Sequence, residues 1–494
     1  MCKDRGDGME RTGTKVSTDF HENLAYLKKE LAVDESFDLI CLELKHGGRK
    51  MALFLVDGFG KDAAITEIQK QLRYLDKDEL VEHEFEAYLS EQVIPYVELS
   101  KATDLDQVID EVLAGPCALI VEGLSHVIIM DTREYPVRSP EEPDTEQVIR
   151  GSKDGFVETI VMNAALIRRR VRDRTLRVKY VKVGRRSKSD LAIIYIEDIA
   201  DSSYVEHIHT ALQNIKTDGL PMADKSIEEF VFGQHYNPYP LVRYTERPDV
   251  SATHLYEGHL LVLVDGSPSA VITPITFWHH LQHAEEYRQK PIVGAVQRIV
   301  RFAAVWASLF LLPLWYLLAV HPDMLPAALS FVGAETTGQI PLIVQFLIAE
   351  MGIEMLRMAS IHTPTALATA LGLVAALLIG QVAIDVGLFS PEVVLYLSMA
   401  AIGTFATPSY ELSLANRIIR VVFLLIAALF GAGGYIVGIT LWLMLLSSMS
   451  VMNVPYLWPL IPFDYRAMRD VLLRAPMPLK NRRPTVLHPK DPDR

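Results

Sequence analysis

The spacing of charged residues divides the chain into two chemically different halves. From Met1 to about Arg301 charged side chains recur every few positions, whereas from Phe302 onward they become rare. Within the first half, short apolar runs such as Phe37–Lys45 and Lys50–Gly58 alternate with helical patterns. This pattern predicts an α/β N-terminal region followed by an α-helical transmembrane bundle.

The first half carries an internal boundary of its own. Tyr135–Gln147 contains Pro and acidic residues and few apolar ones, which is typical of a linker between subdomains. We therefore predict a disordered N-terminus over residues 1–18, a first α/β subdomain over 19–136, a linker over 137–149, a second α/β subdomain over 150–295, a transmembrane domain over 296–463 and a basic tail over 464–494.

Two segments of the first half share one pattern. Ala118–Ile129 and Leu261–Ile272 each contain an apolar strand, an acid-glycine turn and a second apolar strand. Two interpretations stay open. Either the two subdomains are related duplicates, or each contains an ordinary β-hairpin with an acidic turn.

In the second half, uncharged stretches approach the length of about 20 residues that an α-helix needs to cross a bilayer. They predict four spans, at about 302–320, 365–385, 393–410 and 421–446. The last is predicted as one long helix, because a division at Gly431–Gly434 would leave a first half too short to cross. Residues 336–357 are interrupted by acids and predict a re-entrant element. A six-span alternative, in which this element and the apolar tail both cross, stays open.

Basic residues flank the predicted bundle on both sides. They are Arg288, Lys290, Arg298 and Arg301 before it and Arg466, Arg469, Arg474, Lys480, Arg482 and Arg483 after it. Because cytoplasmic loops are enriched in Lys and Arg, both termini are predicted to be cytoplasmic, with an even number of crossings. The charged N-terminus also lacks the apolar core of an export signal. Arg417 and Arg420 would lie outside in the four-span model, which counts against that model.

Composition and motifs exclude several function classes. The formal net charge of -13 argues against a nucleic-acid partner, and three scattered cysteines argue against a disulfide framework. The chain lacks GxSxG, HExxH, P-loop and GxGxxG motifs, so we predict no enzyme activity and no cofactor. His279, His280 and His283 lack acidic or thiolate companions at metal-ligand spacing, and we predict that they lie in an interfacial helix.

Ionisable residues within the apolar half are the candidate ion path. Charges at membrane depth are costly, so they usually face a bundle interior or water. Asp385 follows Gln381 by one helical turn, and Glu350 and Glu354 share one helical face. A ring of such acids from several subunits would make a cation path, while Glu354 and Arg357 are spaced for a local ion pair. The alternative is that Asp385 marks a helix end and that both glutamates lie in the interface.

The run Arg168–Lys188 is strongly basic. Its residues Arg168, Arg169, Arg170 and Arg172 are candidate contacts to another subunit or to anionic headgroups, since the cytoplasmic leaflet attracts such segments. The alternative is a solvated face whose charges pair with nearby acids inside the protein.

Several motifs, in order along the chain, resemble the GerA family of bacterial spore germination proteins, specifically their A-type subunits. The motifs are RGSKDGFVETIVMNAALIRRRVR at Arg150–Arg172, TERPD at 245–249, LYEGHLLVLVDGSPSAV at Leu255–Val271, ATPSYELSLANR at Ala406–Arg417 and VPYLWPLIPFD near the C-terminus. Coverage runs from about Asp19 to Arg483. One departure from the family pattern is Ser152, where many relatives have proline after Arg-Gly.

The resemblance implies a subunit of a complex in the spore inner membrane, with a two-part cytosolic N-terminal region and a transmembrane part that conducts ions. It implies partners among the other membrane proteins of the germination machinery, either as a germinant-receptor subunit or as an amplifying channel. It supplies no catalytic residues. A homo-oligomer is expected, because four spans alone enclose little water. A non-conducting scaffold and a secondary transporter are the alternative functions, although the membrane half shows no convincing repeat of the transporter type.

Overall fold

The computed structural model describes residues 14–74, 98–133, 146–233, 236–325, 332–333, 339–362 and 377–494. They belong to two compact units whose chain segments alternate. The first, which we call the α/β unit, comprises Met1–Gly233, Tyr244–Pro274 and Lys480–Arg494. The second, which we call the helical unit, comprises Gln234–Arg243 and Ile275–Leu479.

Two five-stranded sheets form the α/β unit. The first contains β1 (Leu39–His46), β2 (Arg49–Val56), β3 (Glu98–Ala102), β4 (Cys117–Val121) and β5 (Val127–Asp131), in the order β1-β2-β4-β5-β3. The second contains β6 (Leu176–Val183), β7 (Ser189–Ile196), β8 (Arg243–Thr245), β9 (Leu260–Val264) and β10 (Ala270–Thr273), in the order β6-β7-β9-β10-β8. The described helices of this unit are α1 (Phe20–Glu30), α2 (Asp62–Arg73), α3 (Leu105–Ala114), α4 (Ile160–Arg168), α5 (Ser202–Gln213), α6 (Ala223–Phe232) and α7 (Pro248–Glu257).

The strand β2 shows why the first sheet is covered on both faces. Phe54 and Val56 pack in the core that α1 and α3 cover, whereas Leu53 and Leu55 pack in the core that α2 covers. Successive side chains of a strand point to opposite faces, so a continuous apolar run requires a helix layer on each side. The predicted α/β organisation of the N-terminal half is therefore present.

The two sheets repeat one topology, which favours the duplicate interpretation. The two segments aligned in the sequence form the β4–β5 and β9–β10 pairs, which hold equivalent places in the two sheets. The helices α1 and α4 each contain a buried asparagine whose side chain hydrogen-bonds to both the N–H and the C=O of one residue in the preceding loop. The Asn23 side chain accepts from Ser17 N at 2.9 Å and donates to Ser17 O at 2.6 Å, and Asn163 does the same with Val157 at 2.8 and 2.5 Å.

The C-terminal segment Lys480–Arg494 packs on the α/β unit instead of forming part of a free tail. Lys480 Nζ lies 2.7 Å from Glu257 Oε1, and Lys490 N donates to Ile199 O at 2.9 Å. Burial opposes the ionisation of Glu257, but Lys480 and His254 outweigh it and hold the pKa of this carboxyl well below its usual range. Some basic residues of the predicted tail over 464–494, such as Lys480 and Lys490, therefore form contacts within the folded α/β unit.

The helical unit contains six described α-helices of five or more residues. They are α8 (Ala284–Arg288), α9 (Pro291–Val320), α10 (Leu342–His362), α11 (Pro391–Phe405), α12 (Tyr410–Ser448) and α13 (Tyr465–Leu472). A π-helical segment, Leu377–Val382, continues as Ala383–Asp385, and the short strands β11 (Ser450–Val451) and β12 (Val454–Pro455) pair after α12. Among the described residues, α9 and α12 are long and apolar enough to cross a membrane.

The observed helix bounds differ from the predicted ones in two places. The stretch 302–320 lies within α9, whereas the predicted re-entrant element over 336–357 overlaps α10, a helix of 21 residues that is about 31 Å long. The predicted span 393–410 ends at Phe405, because a turn leads to Ser409, which caps the next helix by accepting from Leu412 N at 3.3 Å. Of the predicted span 365–385, residues 377–385 are described and the rest lies outside the described residues.

The helix α12 is a hairpin, and the prediction of one continuous helix over 421–446 is corrected. Gly431 has φ 64° and ψ -157°, which breaks the helix, and the Trp442 ring centroid lies 6.2 Å from that of Phe423. In a straight helix these residues would be about 28 Å apart. The first arm begins at Tyr410 and not near Val421, so it reaches about 31 Å before the break.

The Gly431 backbone predicts a sharp difference between two neighbouring glycines. Its φ and ψ lie in a region that is essentially restricted to glycine, so Gly431→Ala is expected to cost about 1–3 kcal/mol. Gly433 lies in the second arm, and a Cβ there would meet nothing within 4 Å, so Gly433→Ala is expected to be neutral or stabilising. Thermal unfolding of both variants in detergent would test this. Equal stability of the two would contradict the assigned turn.

Candidate functional site

Glu350, which the sequence assigned to an ion path, is buried between helices. It lies on α10 with 5% of its surface exposed. Arg420 of the first α12 arm holds it with two contacts, from Nε to Oε1 at 2.7 Å and from Nη2 to Oε2 at 3.0 Å. Arg420 also donates to Ser308 O at 2.8 Å and to Thr404 Oγ1 at 3.3 Å. This one guanidinium therefore ties α12 to α9, α10 and α11.

Glu354, one turn further along α10, extends the same network. It forms ion pairs with Arg357, as its spacing predicted, and with Arg417. The Arg417 Nε also lies 3.5 Å from Glu350 Oε2, and Arg357 donates to the Tyr410 hydroxyl. We call Glu350, Glu354, Arg357, Arg417 and Arg420 the ion-pair cluster. It contains two carboxylates and three guanidinium groups, and so carries one excess positive charge.

The ion-pair cluster changes the interpretation of both glutamates. In this conformation arginines neutralise them, so they hold helices together and do not present a bare negative surface to a passing cation. In the sequence, Arg417 and Arg420 bore only on the topology. A signal for pairing was nevertheless present, because two acids and two arginines, spaced four and three residues apart, lie in largely apolar segments, where charged residues pair with one another.

Gln381 and Asp385 form a separate group. Both side chains are exposed and belong to the helical segment that ends at Asp385. The chain that follows them lies beside the first turn of α10, because Ser390 N donates to Gln345 Oε1 at 2.8 Å. The structure thus brings the two glutamates into one network through Arg417, whereas Gln381 and Asp385 are exposed residues of a single helical segment. It leaves the second pair on the surface of the helical unit.

The basic run of the second subdomain is largely used inside the α/β unit. Arg168 is fully buried, and its Nε lies 2.9 Å from Asp38 Oδ2 of the first subdomain. Arg170 forms an ion pair with Asp154 at 2.5 Å. These two residues are therefore unsuited to the predicted subunit or headgroup contacts, which supports the alternative of internal pairing. Arg169 and Arg172 are exposed, and for them the contact stays a prediction.

Of the three histidines near the start of the bundle, His279 and His280 are buried, and His283 is half-buried and caps α8 by accepting from Glu285 N. His279 and His280 lie in the 3₁₀ turn Phe277–Leu281, where 8% and 1% of their surfaces are exposed. His279 closes a capping box with Thr276. Burial and the nearby Arg243 lower the pKa of His280 to about 3, so this ring is neutral. The capping box between Thr276 and His279 stabilises this turn, and the spacing of the histidines along the sequence did not reveal it.

Comparison with known proteins identifies a matching family and several similar proteins. A family model described as Bacillus/Clostridium GerA spore germination protein matches residues 25–486. Stage V sporulation protein AF of Bacillus subtilis (strain 168) is 50% identical over 95% of this chain and 95% of its own. Spore germination protein KA of the same organism is 30% identical, covering 96% of this chain and 88% of its own.

A solved structure is also similar. It is the crystal structure of the N-terminal domain of the A subunit of the Bacillus megaterium spore germinant receptor GerK3, which is 27% identical, covers 54% of this chain and 99% of its own, and has a TM-score of 0.43. The family match and the relatives together confirm the resemblance found in the motifs. The chain belongs to the GerA family of Bacillus/Clostridium spore germination proteins.

Proposed function

We propose that the chain is an A-type subunit of an oligomeric cation channel in the spore inner membrane, acting with other membrane proteins during germination. Family membership supports the role in germination. The observation that carries the channel proposal is the exposed pair Gln381 and Asp385 on a helical unit whose surface is otherwise rich in apolar side chains, such as Leu395, Ile402 and Leu429. A carboxylate that is exposed on an otherwise apolar surface is best stabilised by contact with water and cations.

Helix directions support six crossings of the membrane. Along α9, Ser308 contacts Arg420 and Phe310 stacks on Phe423 at 5.9 Å, so the first α12 arm is parallel to α9. The second arm returns, because Tyr435 contacts Phe310 O at 3.5 Å. The sixth crossing is then this second arm of α12 and not the apolar tail that follows it.

Two further helices run opposite to α9. Trp315 stacks on Tyr396 of α11 at 4.8 Å, whereas Gly403, later in α11, lies against Ser308, earlier in α9. For α10, Phe346 contacts Trp315 at 5.6 Å, and the later Glu350 binds Arg420 beside Ser308. Since α10 and α11 both run opposite to α9, the chain must return once between them. An even number of crossings keeps both termini on the cytoplasmic side.

A second candidate function is a non-conducting scaffold of a germination complex. It is favoured by the ion-pair cluster, since carboxylates that are neutralised by arginines serve helix packing. The two functions differ in what they require of Asp385. A channel uses its charge, whereas a scaffold does not.

Current through the purified protein in planar bilayers, with and without co-expressed membrane partners, would test the channel. We expect discrete cation conductance, and several-fold lower cation selectivity for Asp385→Asn. Asp323→Asn is the matched control, because Asp323 is also an exposed acid of the helical unit. No current under either condition would reject the channel and favour the scaffold. Unchanged selectivity in Asp385→Asn would remove this residue from the ion path.

A further inference from the structure

The exposed side of helix α13 has an apolar edge and a basic edge. The helix begins after Asp464, whose side chain accepts from Arg466 N at 2.9 Å, and it ends at Leu472. Tyr465, Arg466, Arg469 and Leu472 are its exposed residues, and at 100° per residue Leu472 and Tyr465 lie towards one edge of this exposed side and Arg469 and Arg466 towards the other. Tyr465 is 70% exposed and Leu472 is 39% exposed, so the apolar edge of this side is not covered within the helical unit, whereas Met468 is half-buried.

Buried arginines hold α13 beside the first turns of α9. Arg298, fully buried on α9, donates to Asp470 O and Val471 O, both at 3.0 Å, and so satisfies carbonyls at the end of α13. Arg474 donates in the other direction, to Gln289 O at 2.5 Å and to Tyr287 O at 2.9 Å. The position of α13 at the start of the long apolar helix is therefore specified by hydrogen bonds.

An apolar surface continues from α13 onto its neighbours. Phe463, just before α13, is 67% exposed, and Leu473, just after it, is 50% exposed. The first turns of α9 expose Ile292, Val296 and Ile299 by 75%, 56% and 52%. A contiguous patch of exposed apolar residues is typical of a surface that contacts a membrane or another protein.

The positive net charge of the same region favours an anionic partner. Residues 284–301 and 461–474 together contain seven basic side chains and four acidic ones, a difference of +3. Glu286 lies among them, fully buried and paired with Arg298 and Arg301, while Arg466 and Arg469 are exposed. A short helix whose exposed side has an apolar edge and a basic edge fits the headgroup layer of an anionic bilayer.

We propose that α13 and its flanking residues lie in the headgroup layer of an anionic leaflet, with Tyr465 and Leu472 towards the acyl chains and Arg466 and Arg469 among the lipid phosphates. This inference rests on the proposed membrane location of the helical unit. It is independent of ion conduction. The segment that follows the last crossing is then a lipid-binding element that fixes the depth of α9.

The test uses the full chain in nanodiscs and a fluorescent label on one cysteine. Leu472→Cys is labelled with a nitrobenzoxadiazole in a Cys2→Ser, Cys41→Ser background, in which Cys117 is buried. Arg185→Cys, at a site of the α/β unit whose side chain is 76% exposed, is the aqueous control. In discs that contain phosphatidylglycerol, we expect the label at 472 to be quenched by lipid-borne spin labels and to be at least threefold less accessible to iodide than the label at 185.

Replacing phosphatidylglycerol by phosphatidylcholine, or introducing Arg466→Gln with Arg469→Gln, should remove most of this protection, so that the iodide accessibility of the label at 472 approaches that of the label at 185. Protection without lipid quenching would place a protein on α13 and overturn the proposal. Protection that is equal in both lipids would overturn its anionic part. Currents measured on the same variants distinguish these outcomes from failure of the channel proposal, because label accessibility does not depend on conduction.

Discussion

Glu350→Gln alone should lower the free energy of unfolding of the helical unit by about 3–5 kcal/mol. The substitution keeps the shape of the side chain but removes the charge opposite Arg420, whose side chain is 3% exposed and whose shortest contact to Glu350 is 2.7 Å. An uncompensated guanidinium in a low-dielectric interior is costly, and that cost exceeds the value of the pair itself. Denaturation in mixed detergent, followed through the tryptophan fluorescence of the bundle, would measure it.

A double substitution distinguishes the loss of the ion pair from a general disruption of helix packing. Glu350→Gln combined with Arg420→Gln removes both charges, so it should recover a large part of the stability that either single variant loses. Asp323→Asn is the control for removing an exposed acid, and a loss within about 0.5 kcal/mol is expected. If Glu350→Gln were as stable as Asp323→Asn, the ion-pair cluster would not hold α10 against α12.

The second large effect is expected in the α/β unit, where Asp38→Asn should cost about 3–5 kcal/mol. Asp38 and Arg168 have side chains that are 1% and 0% exposed, and two hydrogen bonds of 2.9 and 3.2 Å join them. Asp38 precedes β1 of the first sheet, whereas Arg168 ends α4 of the second subdomain. The pair therefore links the two subdomains, and its loss should weaken amide-exchange protection in both sheets.

Glu43→Gln provides the matched control for Asp38→Asn. Glu43 lies on β1 and pairs with Lys28, but these side chains are 55% and 33% exposed. Ion pairs that are exposed to solvent contribute little to stability, so this variant should retain nearly all of the stability. If both variants unfolded at the same denaturant concentration, the Arg168 pair would have no special structural role.

Much of this protein follows from local pattern. Alternation and apolar runs indicated the α/β half, because each strand must bury its faces, and they indicated the β4–β5 and β9–β10 pairs. The scarcity of charge after Phe302 indicated a helical half with apolar helices. Ordered motifs identified the family, and the spacing of Glu354 and Arg357 predicted a local ion pair that is present. These features depend on neighbours within a few residues.

Tertiary structure decided the features that depend on distant residues. Arg420 lies 70 positions from Glu350 and Arg168 lies 130 positions from Asp38, so spacing along the chain could not show that these charges neutralise each other. The hairpin at Gly431 was hidden for a related reason: the charges Glu411, Arg417 and Arg420 made the first arm look too short. Once arginines are paired inside the bundle, an α-helix can contain them, and the length available for crossing grows accordingly.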